Sequence, residues 1–162
     1  MSDIVLSFVL AVIQGLTEFL PISSSAHLLL PSLLFGLNDL GLSFDIAVHA
    51  GTLIAVIYYF RKEIALMLKS FFLSDKNLLP HRNLAISLIV ATIPIILAGL
   101  FVKDFIDERV FNIEHIAIAN IIFAGILLFA YLKRKDIKNL YSVTLYSALF
   151  VGVFQSLALF PG

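Results

Sequence analysis

The sequence predicts an all-α protein that crosses a membrane several times. Hydrophobic residues make up 60% of its 162 residues and charged residues only 14%, whereas soluble domains have about 45–50% apolar and about 25% charged residues. The mean hydropathy of +1.03 and the long apolar runs between short polar loops agree with this class. We therefore exclude a soluble globular protein and treat residues 1–162 as a single membrane domain. Cysteine is absent from the sequence, which excludes disulfides and thiolate metal sites.

The first predicted element is a re-entrant helical hairpin over residues 1–36. Residues 4–18 would form a helix of about 22 Å, short of the roughly 30 Å thickness of the hydrocarbon core. Because Pro21 disfavours helical backbone in the residue before it, we expect this helix to end near Phe19. A second short helix would run from the serine cluster to about Phe35. Irregular backbone at membrane depth is tolerated only inside protein or beside water; two short tilted spans are the alternative.

Three longer apolar runs predict transmembrane helices, at residues 44–60, 83–102 and 113–132. Pro94 would kink or weaken the second of these helices. The segment 61–82 between the first two is polar and basic with an amphipathic middle, which we expect to lie along the membrane surface.

The placement of lysine and arginine predicts the orientation of the chain. Nine of the eleven basic residues fall in the loops 61–82 and 133–139, two fall in the loop 103–112, and none falls in the loop 36–43. Basic residues concentrate in cytoplasmic loops, so the first two loops are expected on the cytoplasmic side. The N-terminus and the loop 36–43 would then face outward, and the hairpin would enter the membrane from the outer surface.

A weak internal repeat predicts an inverted-repeat architecture. Shifted by 141 positions, residues 12–20 match at four of nine positions, and both copies run into a proline; the matches are Val12 with Val153, Gln14 with Gln155, Leu16 with Leu157 and Phe19 with Phe160. Three predicted crossings separate the copies, so the second copy would enter from the opposite face. Inverted repeats place binding sites near the midplane of the bilayer. Residues 140–162 would then begin a second repeat that is incomplete, and we expect the chain to be truncated.

Polar residues gather around the turn of the predicted hairpin. Between residues 4 and 38 the only ionisable side chains are Glu18 and His27. A carboxylate at membrane depth costs roughly 2.5–3.5 kcal/mol, so its presence predicts a functional site. Gln14 lies one helical turn before Glu18, and the two side chains share a face.

The three serines Ser23, Ser24 and Ser25 would begin the second short helix. The unpaired N–H groups and the positive dipole end of such a helix suit a phosphate. The hydroxyls would either donate to phosphate oxygens or cap the helix, and for Ser25 both interpretations stay open. Ser23 and Ser24 share a face with His27, which we interpret as a functional residue in preference to an ordinary buried histidine.

A polar stripe on the predicted helix 44–60 has two interpretations. Asp45, His49 and Thr52 would lie on one face near the outer end of the helix. They would either surround the same cavity as Glu18 or form an ordinary hydrogen-bond seam between helices, and we favour the seam. Gly99 and Gly125 are interpreted as positions of close helix packing. The sequence contains no Walker loop, zinc pattern or basic nucleic-acid patch, so nucleic acid is not an expected partner.

Three motifs of the chain resemble the signatures of one known family, the undecaprenyl-diphosphate phosphatases of the bacitracin-resistance type. They are Gln14-x-x-x-Glu18-Phe19-Leu20-Pro21-Ile22-Ser23-Ser24-Ser25-x-His27-Leu28, then Phe44-Asp45 with His49-x-Gly51-Thr52-Leu53-x-Ala55-Val56, and Ala91-Thr92-Ile93-Pro94. The resemblance implies inverted repeats with two re-entrant hairpins in the bacterial inner membrane. It also implies removal of the terminal phosphate of undecaprenyl diphosphate, which recycles the lipid carrier of peptidoglycan synthesis and underlies bacitracin resistance.

The resemblance also implies roles for individual residues. Catalytic residues would be Glu18, Ser24 and His27, with Ser24 or His27 acting as the nucleophile or its proton partner. Substrate would be bound by Gln14, Ser23 and Ser25. Glu18 and Gln14 would activate the attacking group or hold a divalent cation, Mg²⁺ or Ca²⁺. The implied partners are a polyprenyl diphosphate lipid and the membrane, with the active site facing the periplasm.

The chain departs from the family pattern at its end. The second family motif has the pattern Pro-Gly-x-Ser-Arg-Ser, of which only Pro161-Gly162 is present here. Stabilisation of phosphoryl transfer by an arginine is worth about 10³–10⁵ in rate, so we expect this chain alone to be nearly inactive. A secondary transporter or channel is the rival hypothesis, since broken helices in inverted repeats also suit transport. A transporter needs charge pairing, however, and not a hydroxyl beside a base. A purely structural helix bundle would leave Glu18 without a reason.

Overall fold

The described part of the chain is built from helices. The computed structural model describes residues 2–107, 112–134 and 139–159, with the backbone alone for 104–107. Helices account for 85% of the structure, and no strand occurs in those ranges. The α-helices are α1 (Asp3–Thr17), α2 (Ser24–Phe35), α3 (Leu42–Tyr59), α4 (Arg61–Phe72), α5 (Leu79–Asp107), α6 (Ile113–Lys133) and α7 (Leu145–Gln155). Short 3₁₀ segments occur at Lys76–Leu78, Leu140–Ser142 and Ser156–Leu159.

Three of these helical segments are long and apolar enough to cross a membrane: Leu42–Tyr59, Lys76–Lys103 and Ile113–Lys133. They coincide with the three predicted spans, and the predicted fold class, an all-α polytopic membrane protein, is confirmed.

The helix α5 is longer than the span 83–102 that hydropathy predicts. It begins at Leu79 and continues to Asp107, so residues on both sides of the predicted span are helical. Pro80 is in the first turn, where a missing N–H costs nothing because that group would be unpaired anyway. Pro94 lies inside α5 without ending it, as is common for proline in membrane helices.

The first two helices form the predicted pair of short helices. α1 has 15 residues and α2 has 12. They pack against each other through Leu6, Leu10 and Leu28, and this core also holds Ile13, Leu37, Leu40, Phe44 and Val48. The first helix ends at Thr17, slightly before the predicted end near Phe19. The re-entrant path of the hairpin stays a prediction.

The chain divides into two compact units. Among the described residues, the first unit comprises 2–56 and 112–134, and the second comprises 57–107 and 139–159. The single membrane domain 1–162 stays a prediction.

Within the second unit, α5 packs against α4 and α7, and one glycine permits a close approach. A Cβ added at Gly152 would lie 2.2 Å from the carbonyl oxygen of Ala91. A Cβ at Gly99 or Gly125 would meet nothing within 4 Å among the described residues, so the close-packing interpretation of these two glycines is wrong for this part of the chain.

The helix α7 begins the predicted second repeat. Thr144 caps it, and the Thr144 and Ser147 side chains bond reciprocally to each other's backbone N–H groups. Gln155, which the repeat aligns with Gln14, is exposed, whereas Gln14 is fully buried at 0% exposure. Phe160, Pro161 and Gly162 lie outside the described residues, as do Arg109, Lys135 and Lys138 of the charge count, and the inverted repeat stays a prediction.

Candidate active site

Glu18 stands at the C-terminal end of α1, where its backbone N–H donates to the Gln14 carbonyl (2.9 Å). The Gln14 side chain donates from Nε2 to Glu18 Oε2 at 2.7 Å. The predicted shared face of these two residues is therefore confirmed.

Ser24 approaches the same carboxylate from the start of α2. Its Oγ donates to Glu18 Oε2 at 2.5 Å. The intervening backbone reverses direction through the bonds from Leu20 N–H to the Thr17 carbonyl (3.1 Å) and from Ile22 N–H to the Leu20 carbonyl (2.9 Å). Hydrogen bonds to an ionised acceptor are roughly twice as strong as neutral ones. The turn therefore joins a hydroxyl to a base, the arrangement that activates a nucleophile.

Ser23 caps α2 in a strained backbone conformation. Its φ of 55° is the only positive φ of a non-glycine residue in the described ranges. The Ser23 Oγ accepts from the N–H of Ala26 at 3.3 Å, so the capping interpretation is confirmed for this serine. Such backbone strain costs of order 1–3 kcal/mol and clusters at functional sites.

The first backbone N–H groups of α2 stay available to a ligand. Those of Ser24 and Ser25 have no acceptor among the residues that the structure describes. Ser25 is half-buried, and within the same ranges its hydroxyl has no hydrogen-bond partner. The N-terminal end of α2 thus offers two backbone N–H groups and one hydroxyl, which suit the oxygens of a phosphate.

His27 bonds to the backbone and not to Glu18. Its Nδ1 lies 2.7 Å from the Ser23 carbonyl oxygen, and because a carbonyl only accepts, Nδ1 carries the hydrogen. In the neutral imidazole Nε2 is then an acceptor, and it has no hydrogen-bond partner among the described residues. In the described part of the chain, no hydrogen bond or ion pair joins His27 to Glu18.

The histidine beside Glu18 is His49 of α3. Its Nε2 lies 3.6 Å from Glu18 Oε2, while its Nδ1 lies 2.7 Å from the Asp45 carbonyl oxygen. Thr52 Oγ1 donates to the His49 carbonyl at 2.8 Å. The contact between His49 and Glu18 joins α3 to the end of α1, and both interpretations of the stripe, the cavity and the favoured seam, stay predictions. In the sequence, His49 was distinguished only by its position one helical turn after Asp45, on the same face of the predicted helix.

A cavity of about 260 Å³ opens beside the turn, within the first unit. Pro21 and Ser23 line it on the hairpin side, and Asn120, Phe123, Ala124 and Leu127 of α6 line the rest. Asn120 donates from Nδ2 to the Ile116 carbonyl at 2.9 Å. Sequence reasoning missed Asn120, because a single amide in an apolar span carries no pattern.

The residues at Glu18 fit a divalent cation whose remaining ligands are phosphate oxygens of the substrate. They do not fit a cation that is coordinated by protein ligands alone. Gln14 Oε1 is buried without a hydrogen-bond partner within the described residues, and an amide oxygen is a suitable ligand for Mg²⁺ or Ca²⁺. No group of three His, Cys, Asp or Glu that could hold a metal occurs in the described ranges. Mg²⁺ is commonly held by one or two carboxylates together with substrate phosphates.

Comparison with known proteins decides the family. A family model described as bacitracin resistance protein BacA matches residues 7–162. The chain belongs to the BacA family. An undecaprenyl-diphosphatase of Saccharophagus degradans is 48% identical over 161 residues, which cover 99% of this chain and 61% of that relative.

Two further relatives of this BacA-family chain carry the same description. Undecaprenyl-diphosphatase 1 of Pseudoalteromonas translucida is 47% identical over 95% of this chain and 59% of its own length. The undecaprenyl-diphosphatase of Aliivibrio salmonicida is 45% identical over 96% of this chain and 59% of its own length. The chain thus spans about three fifths of the length of the curated relatives that it matches. No solved structure matches it.

Proposed function

We propose that this chain carries the catalytic residues of an undecaprenyl-diphosphate phosphatase, a membrane hydrolase that returns undecaprenyl phosphate to peptidoglycan synthesis. The single observation that carries the proposal is the 2.5 Å hydrogen bond from the Ser24 hydroxyl to the Glu18 carboxylate. The names of the relatives support the substrate.

In the first step the Ser24 oxygen attacks the terminal phosphorus of the diphosphate. Glu18 takes the hydroxyl proton, the anhydride P–O bond breaks, and undecaprenyl phosphate leaves. Ser24 is preferred to His27 as the nucleophile because its hydroxyl already donates to a carboxylate, whereas His27 is bonded through Nδ1 to the backbone.

In the second step water releases phosphate from the serine. The free Nε2 of His27 takes a proton from the water, and protonated Glu18 returns its proton to the Ser24 oxygen. The N–H groups of Ser24 and Ser25 orient the phosphate through both steps, since catalysis of phosphoryl transfer depends mainly on positioning and charge stabilisation.

A divalent cation, when bound, would neutralise charge on the phosphate oxygens. Glu18 and the unpartnered Oε1 of Gln14 would hold it. The adjoining cavity of about 260 Å³ suits the first isoprene unit of the lipid, because Phe123 and Leu127 present apolar surface next to Ser23.

The proposal includes a multi-pass location in a bacterial membrane, with the active site on the periplasmic side. The three apolar helices support the multi-pass location. The concentration of lysine and arginine in the loops 61–82 and 133–139 supports the orientation.

Replacing the carboxylate of Glu18 tests the function directly. Two proteins are assayed with undecaprenyl diphosphate as substrate. One is the chain alone, and the other is the chain fused to the part of the Saccharophagus degradans relative that lies outside the matched region. In the fused protein we expect Glu18→Gln and Ser24→Ala each to lower phosphate release by about 10²–10⁴-fold, the size of a general-base contribution. Membrane insertion should be unchanged.

Glu114→Gln is the matched control, because Glu114 is an exposed carboxylate in the first turn of α6. Its phosphate release should equal that of the wild type. Normal turnover by Glu18→Gln would remove Glu18 from the mechanism. Movement of the lipid across vesicles without phosphate release would favour the transporter hypothesis instead.

A further inference from the structure

A second cavity lies where α4 ends and α5 begins, within the second compact unit. Its volume is about 200 Å³, below the roughly 300–1,000 Å³ of pockets for drug-sized ligands. Its walls come from the end of α4, the turn at residues 73–76 and the first turn of α5. A cavity of this size accommodates a small polar group and not a whole lipid.

The lining of this cavity is positively charged. Lys76 and Arg82 both line it, and neither has an ion-pair partner within the ranges that the structure describes. Asp75 is the one acidic residue in the lining. Its Oδ1 accepts from the Asn77 N–H at 2.9 Å and so caps the 3₁₀ segment. Two cations against one engaged carboxylate favour an anion.

The cavity also offers hydrogen-bond acceptors. Ser70 is buried at 3% exposure, and its hydroxyl proton is donated to the Met67 carbonyl at 2.5 Å. Towards the cavity Ser70 Oγ therefore only accepts, as does the second carboxylate oxygen of Asp75. These acceptors suit a phosphate that carries neighbouring hydroxyl groups, which a phosphate alone does not supply.

Apolar side chains continue from the cavity to the surface. Leu73 and Leu79 line it and are 55% and 48% exposed. The adjacent Phe72 is 86% exposed. Because this segment connects the spans Leu42–Tyr59 and Lys76–Lys103, it lies at one surface of the membrane, where such side chains meet lipid.

We propose that this cavity binds the phosphoglycerol headgroup of an anionic phospholipid. The phosphate lies between Lys76 and Arg82, and the glycerol hydroxyls donate to Ser70 Oγ and Asp75. The acyl chains follow Leu73 and Leu79 into the bilayer. Free glycerol phosphate shares the polar chemistry but leaves these leucines uncovered. The inference is independent of the phosphatase proposal.

Native mass spectrometry of the whole chain in detergent tests the site, with dioleoylphosphatidylglycerol as the probe and dioleoylphosphatidylcholine as its neutral counterpart. Each basic residue near an anionic headgroup is worth about 1 kcal/mol, or about fivefold in affinity. We therefore expect Lys76→Gln with Arg82→Gln to weaken phosphatidylglycerol binding by about 25-fold. Lys62→Gln with Lys69→Gln is the control, because it removes the same charge from exposed positions of α4 outside the cavity.

A second variant separates the glycerol from the phosphate. Ser70→Ala removes the acceptor, so it should weaken binding of phosphatidylglycerol but leave binding of dioleoylphosphatidic acid, which lacks the glycerol hydroxyls, unchanged. Equal losses in the two double variants would overturn the site in favour of general surface charge. Displacement of phosphatidylglycerol by an equimolar amount of glycerol 3-phosphate would show that the ligand is soluble. Equal binding of dioleoylphosphatidylglycerol and dioleoylphosphatidylcholine would show that there is no site for an anionic headgroup.

Discussion

At the scale of single residues, one oxygen atom organises the candidate site. Glu18 Oε2 accepts hydrogen bonds from Gln14 of α1 and Ser24 of α2, and it lies 3.6 Å from the His49 imidazole of α3. Three helices thus converge on one carboxylate. The two neutral donors fix the orientation of this carboxylate at the turn between α1 and α2.

His49 is a positioning residue in this arrangement. Because its Nδ1 faces the Asp45 carbonyl, its Nε2 reaches Glu18 as a donor only when the imidazole is protonated. We expect His49→Gln to lower phosphate release by about 10–100-fold, the effect typical of groups that orient reacting residues. The loss should fall on kcat with KM nearly unchanged, a split that a merely structural role would not produce.

The control for this prediction is His115→Gln, since His115 is exposed in the first turn of α6. Its kcat and KM should match those of the wild type. An unaltered kcat in His49→Gln, with only stability lost, would restrict His49 to a packing role.

At the scale of helices, the second unit depends on the approach of α7 to α5. The Gly152 backbone lies so near α5 that an added Cβ would be 2.2 Å from the oxygen and 2.9 Å from the carbonyl carbon of Ala91. Small residues let membrane helices approach closely. Van der Waals contacts then stabilise the pair, because the hydrophobic effect does not favour helix association within lipid. Because the neighbouring atoms belong to the backbone, no side chain can move aside.

Gly152→Ala should therefore destabilise the protein by up to about 2 kcal/mol. Overpacking costs about 1–3 kcal/mol, and the gain of about 1 kcal/mol that alanine brings to a helix interior offsets part of that cost. Thermal unfolding in detergent, followed by circular dichroism, measures the change.

Gly99→Ala is the comparison within the same unit, because a Cβ at Gly99 meets no described residue within 4 Å. It should be neutral or slightly stabilising. Equal stability of the Gly152 and Gly99 variants would contradict the close contact between α5 and α7.

At the scale of the whole molecule, the distribution of charge predicts the orientation in the membrane. The chain has no native cysteine, so in a single-cysteine variant the introduced residue is the only one in the chain that a thiol reagent can label. In intact cells, Asn38→Cys should react with a membrane-impermeant thiol reagent and Asn77→Cys should not, because the loop 61–82 carries five basic residues and the loop 36–43 carries none.

Both asparagines are exposed, so a difference in labelling between the two variants reports the side of the membrane that each position faces. After the cells are opened, both variants should react. The reverse pattern in intact cells would overturn the orientation and place the candidate active site on the cytoplasmic side.

The sequence by itself determined the fold class and the local neighbours. Hydropathy located the three spans, because about 20 apolar residues are needed to cross the hydrocarbon core. The helical period paired Gln14 with Glu18, since residues four apart share a face whatever surrounds the helix. The serine cluster likewise predicted the start of α2, because a serine side chain satisfies an unpaired N–H there.

Only the tertiary structure decided which side chains from different helices meet. That Ser24 reaches Glu18 depends on the backbone between α1 and α2, including the positive φ of Ser23. The neighbour of Glu18 is His49 and not His27, because the packing of α3 sets that contact. Gly152, and not Gly99, approaches another helix for the same reason. Periodicity specifies a residue's face on its own helix, but contacts between helices depend on turn geometry and packing.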